Sequence, residues 1–172
     1  MNPEIIKATT DRFASDPGSA RSAPAVAARL SDGRAELSAG SFKWYADLPP
    51  ALGGSNTAPS PTAYLLGALA GCAVAFIHDT LAPQLGLRID DISAVARCTS
   101  DLRGLFGMDG TQADLGDIGV DITVVSAEPS DRLNLLHQAW LERCPIYLAA
   151  LKPNPVNVTF TVAQPAVSAR TE

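Results

Sequence analysis

From Thr62 to Leu81 the chain reads TAYLLGALAGCAVAFIHDTL, a helical run that is apolar on almost every side. Such a helix has no face suited to water and belongs in the middle of a molecule, covered on several sides. Gly67, Ala68, Ala70, Gly71 and Ala73 are interleaved through it, small enough to let neighbouring backbones approach closely. Ser60-Pro61 predicts its start, because serine at the cap accepts a backbone N–H and proline at the first helical position gives up no bond it would have made. Pro83 and Gly86 predict its end. With His78 and Asp79 near the end of residues 63–81, no stretch reads as long and clean enough to span a bilayer. The opening residues MNPEIIKATTDRF carry no cleavable signal pattern. The expectation is a cytoplasmic protein with no membrane partner.

Short extended runs flank this helix. AVAARL, RAELSAG and SFKWYADL predict three strands of an antiparallel meander, the first turn carried by Ser31-Asp32-Gly33, since an Asp-Gly pair supplies positive φ. PPALGGSNTAPSP reads as a connecting loop. LRIDDISAVARCTSDLRG and ADLGDIGVDITVVSAE predict a hairpin around a loop at residues 104–110, with Arg103 and Gly104 shaping its turn. Glu128-Pro129-Ser130 opens a second helix whose Leu133, Leu136, Ala139, Trp140 and Cys144 form one stripe. The chain then breaks at Cys144-Pro145, continues as a short helix PIYLAALK and ends in a strand VNVTFTVA. Three regions result: an N-terminal arm over residues 1–24, with a helical turn or two and a place against a partner subunit, one α+β domain over 25–162, and a loose tail over 163–172.

Composition narrows the chemistry. With 47% apolar residues over a length of 172, one domain can bury a core without a disulfide framework. A net charge of −5 and no basic stripe exclude a phosphate-tracking surface, so nucleic acid is not an expected partner. The three cysteines are too few and too scattered for a zinc cage, and neither a metal nor an organic cofactor is expected.

What remains is thiol chemistry. Cys72 lies inside the apolar helix and Cys144 immediately precedes Pro145, two different settings that read as a possible reactive pair. A thiol acts as a nucleophile only as thiolate, and burial opposes that ionisation unless a cation, dipole or hydrogen-bond donor offsets it. If Cys144 caps the helix begun by Pro145, that helix's free amides face its sulfur. Packing alone also accounts for Cys72 and Cys144 as inert core residues, and Cys98, in VARCTS, reads as structural. His78 points away from Cys72 on the same helix, and His137 has no ligand spacing to either cysteine. Trp44, Tyr45, Phe76 and Trp140 read as core or dimer packing.

Gly53-Gly54, Ser60-Pro61, Leu69-Ala70-Gly71-Cys72, Asp101-Leu102-Arg103-Gly104, Cys144-Pro145-Ile146 and Pro155-Val156-Asn157-Val158, in this order, resemble the OsmC/Ohr family over roughly residues 25 to 162. The resemblance implies an α+β, OsmC-like fold in which two chains intertwine as a homodimer, antiparallel strands from both wrapping a buried central helix. It implies that Cys72 attacks a hydroperoxide substrate and becomes a sulfenic acid. Cys144 then condenses with it to a disulfide, which a dithiol reductant of lipoyl or thioredoxin-like type reduces. Arg34, just after the Ser-Asp-Gly turn, matches the family arginine of the early strands best, with Arg29 as second choice.

One departure matters. The family's peroxidases carry a glutamate ten positions before the first cysteine that holds the arginine, and this chain has Thr62 there. Glu36, Asp47 or Asp79 could substitute only if the fold brought one of them to the site. An adjacent arginine lowers a thiol pKa by about one to a few units, each about 1.4 kcal/mol, so its orientation decides reactivity. The alternative is a non-catalytic relative that binds a small lipophilic ligand or senses oxidants.

Overall fold

The computed structural model describes residues 3–152 and 155–162. It opens on helix α1 (Pro3–Ser15), a full 13 residues where composition predicts a turn or two. Its half-buried residues are Ile6, Thr9 and Phe13, spaced so that one face is covered, and α1 rests against the far end of the central helix.

Strands β1 (Ala27–Ser31), β2 (Arg34–Ala39) and β3 (Phe42–Ala46) form the expected antiparallel meander in the order β1-β2-β3. Asp32 and Gly33 both take positive φ, 50° and 78°, the two-residue turn that matches strand twist. Ala28 lies opposite Leu37 and Leu37 opposite Trp44, while Leu30, Ala35 and Ala46 align in the same way. These side chains share an apolar face that is covered at Ala46 and left open toward its rim, with Leu30 80% and Phe42 73% exposed.

Helix α2 (Pro61–Phe76) begins where predicted, the Ser60 hydroxyl accepting from the Ala63 N–H at 3.2 Å. Its end differs. A π-helical turn over Ile77–Leu81 leads into α3 (Ala82–Gln84), so the helix runs on past Pro83 before Gly86 turns the chain at φ 63°. Pro83 has no N–H for the Asp79 carbonyl, and the wide turn ahead of it absorbs that mismatch instead of stopping the helix. The continuous helix Pro61–Gln84 has 24 residues with a hydropathy of 1.7 in its most apolar window, long and apolar enough by length and composition to cross a membrane, which corrects the expectation that His78 and Asp79 interrupt it. Leu69, Ala73, Ile77 and Leu81 form its buried row, while Gly67, Ala68, Gly71 and Ala75 stay exposed.

Strands β4 (Asp91–Ser100) and β5 (Leu115–Val125) pair antiparallel with an irregularity between Arg97 and Thr99. A short helix, α4 (Leu102–Leu105), forms inside their connection. Ile92, Ala94 and Ile122 pack on a core of Ala73, Ile77, Leu81, Leu136, Ala139, Trp140 and Cys144. Helix α5 (Ser130–Arg143) thereby buries most of the stripe read from its sequence, and α6 (Pro145–Leu151) follows at once. Arg132 ties α5 to the end of the central helix, its Nη2 donating to the carbonyls of Leu85 and Gly86 at 2.7 and 3.1 Å.

The closing strand is not formed as expected. Residues 155–162 take neither helix nor strand, and Val156, Val158, Phe160 and Val162 are 79–89% exposed. Their alternation with polar residues suits a sheet edge, and no strand of this chain takes them up among the described residues. The expected tail, 163–172, lies outside the described residues.

Candidate active site

Cys72 sits in the second half of α2, beside the fully buried Ala73. Cys144 is both the last cap of α5 and the first of α6, with φ −68° and ψ 111°. Pro145 is the cause: the residue before a proline is pushed out of helical ψ, so α5 stops there and α6 starts in a new direction. The thiols meet at this corner, with a hydrogen bond from Cys144 Sγ to Cys72 Sγ at 3.2 Å. Cys144 is wholly buried and Cys72 half-buried, so Cys72 is the sulfur an incoming molecule can reach. Disulfide formation requires the sulfurs to close to about 2.05 Å, a movement of roughly 1 Å.

Burial pushes the Cys72 thiol up to about 11, and the neighbouring Cys144 adds to the rise, while the Ile146 backbone N–H acts in the opposite direction. Once one sulfur of such a pair is ionised, the other's hydrogen bond to it makes the second proton harder to remove. The sequence argument aimed the α6 amides at Cys144. Cys144 makes no side-chain cap bond, and it is Cys72 that the Ile146 amide stabilises as thiolate. The correction follows from the corner itself, which turns the first free N–H of α6 toward α2.

No arginine is among the groups that move Cys72. Arg34 opens β2, its guanidinium 3.9 Å from the Tyr45 ring centroid and its Nη1 donating to Thr57 Oγ1 at 3.4 Å. Its Nε is buried without a hydrogen-bond partner. Tyr45 is fixed in turn by its carbonyl, which accepts from the Tyr64 hydroxyl on α2 at 2.6 Å. Arg34 lines a cavity of about 330 Å³ with Asp47, Gly54 and Pro61, at the start of α2. From Pro61 to Cys72 the helix rises about 16 Å, far beyond the reach of that side chain within one chain. Arg29 is engaged elsewhere: its Nε and Nη2 both donate to Glu36 Oε1, at 3.0 and 2.8 Å.

The carboxylates weighed as substitutes for Thr62 separate by partner. Glu36 is held by Arg29, and Asp79 contacts His78 Nδ1 at 2.7 Å. Asp47 is 7% exposed and accepts from the N–H groups of Leu48, Ser55 and Thr57 and from the Thr57 hydroxyl, at 2.8, 3.3, 2.9 and 2.8 Å. Those donors, the Thr57 N–H foremost, hold its carboxyl down to about 2. Thr57, which sequence reasoning missed, therefore touches both Arg34 and Asp47. Gly54 permits this loop, because a Cβ there would collide with the Leu48 carbonyl.

Thr62 itself borders a cavity of about 640 Å³ with Leu48, Leu52, Leu102, Leu105 and Phe106. His137 lines a smaller apolar cavity with Ile77, Ile122 and Trp140, and the Trp140 Nε1 is buried without a partner. Cys98 is half-buried on β4 at the irregularity. Among the described residues no three His, Cys, Asp or Glu side chains gather as a metal site.

A family model described as OsmC-like protein matches residues 54–160. The chain belongs to the OsmC-like family. Among solved structures, an OsmC-like protein from Mycoplasma pneumoniae superposes with a TM-score of 0.62 at 18% identity, covering 76% of this chain and 88% of its own. A protein from Legionella pneumophila described as an organic hydroperoxide resistance protein OsmC gives 0.56 at 18% identity, over 74% and 88%. An organic hydroperoxide resistance protein from Elizabethkingia anophelis gives 0.54 at 12% identity, over 76% and 89%. At these identities the likeness is one of fold, and it establishes the OsmC-like α+β architecture read from the sequence. No curated protein matches the sequence.

Proposed function

We propose that this OsmC-like protein is a thiol-dependent peroxidase for organic hydroperoxides, with inorganic ones as a second substrate class. The observation that carries the proposal is the 3.2 Å contact between Cys72 and Cys144. The Cys72 thiolate attacks the distal oxygen of ROOH; the O–O bond breaks, ROH leaves with a proton, and Cys72 becomes a sulfenic acid. Cys144 attacks that sulfur, its proton and the sulfenic OH leave as water, and a disulfide joins the two residues. A dithiol of lipoyl or thioredoxin-like type returns both thiols and is itself oxidised to a disulfide.

The working form is a homodimer. Three uncovered surfaces support this: the apolar face of the β1–β3 sheet, the exposed small-residue side of α2, and the alternating segment 155–162. A second copy supplies cover of the same chemistry for all three, removing the apolar helix from water without a membrane. A cytoplasmic setting, where thiols are kept reduced, suits this chemistry. In this assembly Arg34 acts on the Cys72 of the other chain, because its own Cys72 is out of reach.

Steady-state consumption of cumene hydroperoxide with dihydrolipoamide tests the proposal: turnover in the wild type and none in Cys72→Ser is expected, whereas equal turnover in both sinks it. A second reading, a non-catalytic binder of a small lipophilic ligand, is favoured by the apolar 640 Å³ cavity at Thr62. It is supported if the wild type reduces hydroperoxide no faster than free thiol while binding a fatty acid saturably.

A further inference from the structure

We propose that Thr57, held by Asp47, is the positioning residue for Arg34, performing in this chain the orienting work for which the position at Thr62 no longer has a carboxylate. The inference rests on the peroxidase reading and assigns a role to Thr57, a residue that no sequence motif marks. Arg34 has no carboxylate within ion-pair distance among the described residues, so its direction is set by what else touches it. One constraint is the Tyr45 ring beneath the guanidinium at 3.9 Å, which fixes its plane but leaves it free to slide. The other is Thr57 Oγ1, at 3.4 Å from Nη1.

That hydroxyl is not free to choose. It donates its proton to Asp47 Oδ2 at 2.8 Å, so the side it turns toward Arg34 carries a lone pair. Asp47 cannot shift to follow, because three backbone N–H groups hold its two oxygens. A carboxylate with that many donors stays ionised and polarises the hydroxyl, making its oxygen a better acceptor for a cation. The result is a relay from carboxylate through hydroxyl to guanidinium. It sets direction without neutralising the arginine by direct contact, and it leaves the buried Nε free of any competing bond.

Four variants decide the matter in the full-length protein: Thr57→Val, which keeps the shape and removes the hydroxyl; Thr57→Ser, which keeps the hydroxyl; Arg34→Ala; and Thr57→Val combined with Arg34→Ala. The readouts are the pH profile of Cys72 alkylation by iodoacetamide and the hydroperoxide turnover. Thr57→Val is expected to move the alkylation midpoint to higher pH and to lower turnover about tenfold, Thr57→Ser to restore both, and Thr57→Val to add nothing once Arg34 is alanine. An unshifted midpoint in Thr57→Val, an equal effect in the Arg34→Ala background, or an alkylation profile indifferent to Arg34→Ala overturns the proposal. A wild type without turnover removes the peroxidase reading alone, since the alkylation profile still reports whether Thr57 acts through Arg34.

Discussion

Cys72 and Cys144 stand 72 positions apart in the chain and 3.2 Å apart at their sulfurs. One local break brings this about. The proline after Cys144 ends α5 and swings α6 away, and the corner so formed delivers one thiol to the side of the apolar helix that carries the other.

Different roles for the two sulfurs follow from their burial. Cys72→Ser should lower hydroperoxide consumption to that of protein-free buffer. Cys144→Ser should leave a first turnover intact but let Cys72 proceed to the sulfinic and sulfonic states, read as added oxygen on the peptide containing Cys72.

The titration of Cys72 gives a signed expectation. In the single chain its pKa is raised to about 11 from an ordinary 9.0, so the folded state holds this proton more tightly than the unfolded one. Stability from this source is complete below the unfolded value and is lost as pH rises through the folded one. Removing the cation that we assign to the other chain, in Arg34→Ala, should move the alkylation midpoint of Cys72 upward toward that single-chain value.

Asp47 has the opposite sign. Its pKa falls from 3.8 to about 2 because the loop's N–H groups favour the carboxylate. The stability it contributes is present above the unfolded value and is lost as pH falls through about 2. Thermal melts of the wild type should therefore drop steeply between these two values, and Asp47→Asn should be less stable at neutral pH with a shallower acid response.

The same loop depends on a missing side chain. Gly54→Ala puts a methyl group into the Leu48 carbonyl and should destabilise the protein by about 1–3 kcal/mol, measured by denaturant unfolding. Gly53→Ala, whose Cβ would meet nothing within 4 Å but whose φ is 87°, separates backbone strain from collision.

The contrast between these loops and the elements around them marks what a sequence reveals. Ser60-Pro61 and Asp32-Gly33 announced a helix start and a hairpin turn because a cap and a positive φ are local requirements, met by the residues at that spot. The stripe on α5 was equally plain, since 3.6-residue periodicity needs no knowledge of the partner surface. Pro83 misled because its effect depends on whether the preceding turn can widen, and packing of Ile77 and Leu81 in the core favours continuing the helix. Ile6, Thr9 and Phe13 already had helical spacing, but a helix this short is held by what it packs against.

The thiol pair was legible as two residues and not as a distance. Its surroundings were less so: the amide that favours the Cys72 thiolate comes from a corner whose direction only packing sets. Asp47 and Thr57 meet through a loop of prolines and glycines with no periodicity to read. The alternation of residues 156–162 reads as a strand, but a strand needs an edge to pair with, and no strand in the described part of this chain takes the segment up.

The most direct test of the central claim is intact and peptide mass spectrometry of the reduced protein after one equivalent of cumene hydroperoxide. Loss of two hydrogens per chain, with a rapidly formed peptide joining Cys72 to Cys144, is the result the proposed mechanism requires. Slow oxygen addition spread over Cys72, Cys98 and the methionines, with no such crosslinked peptide, would contradict it.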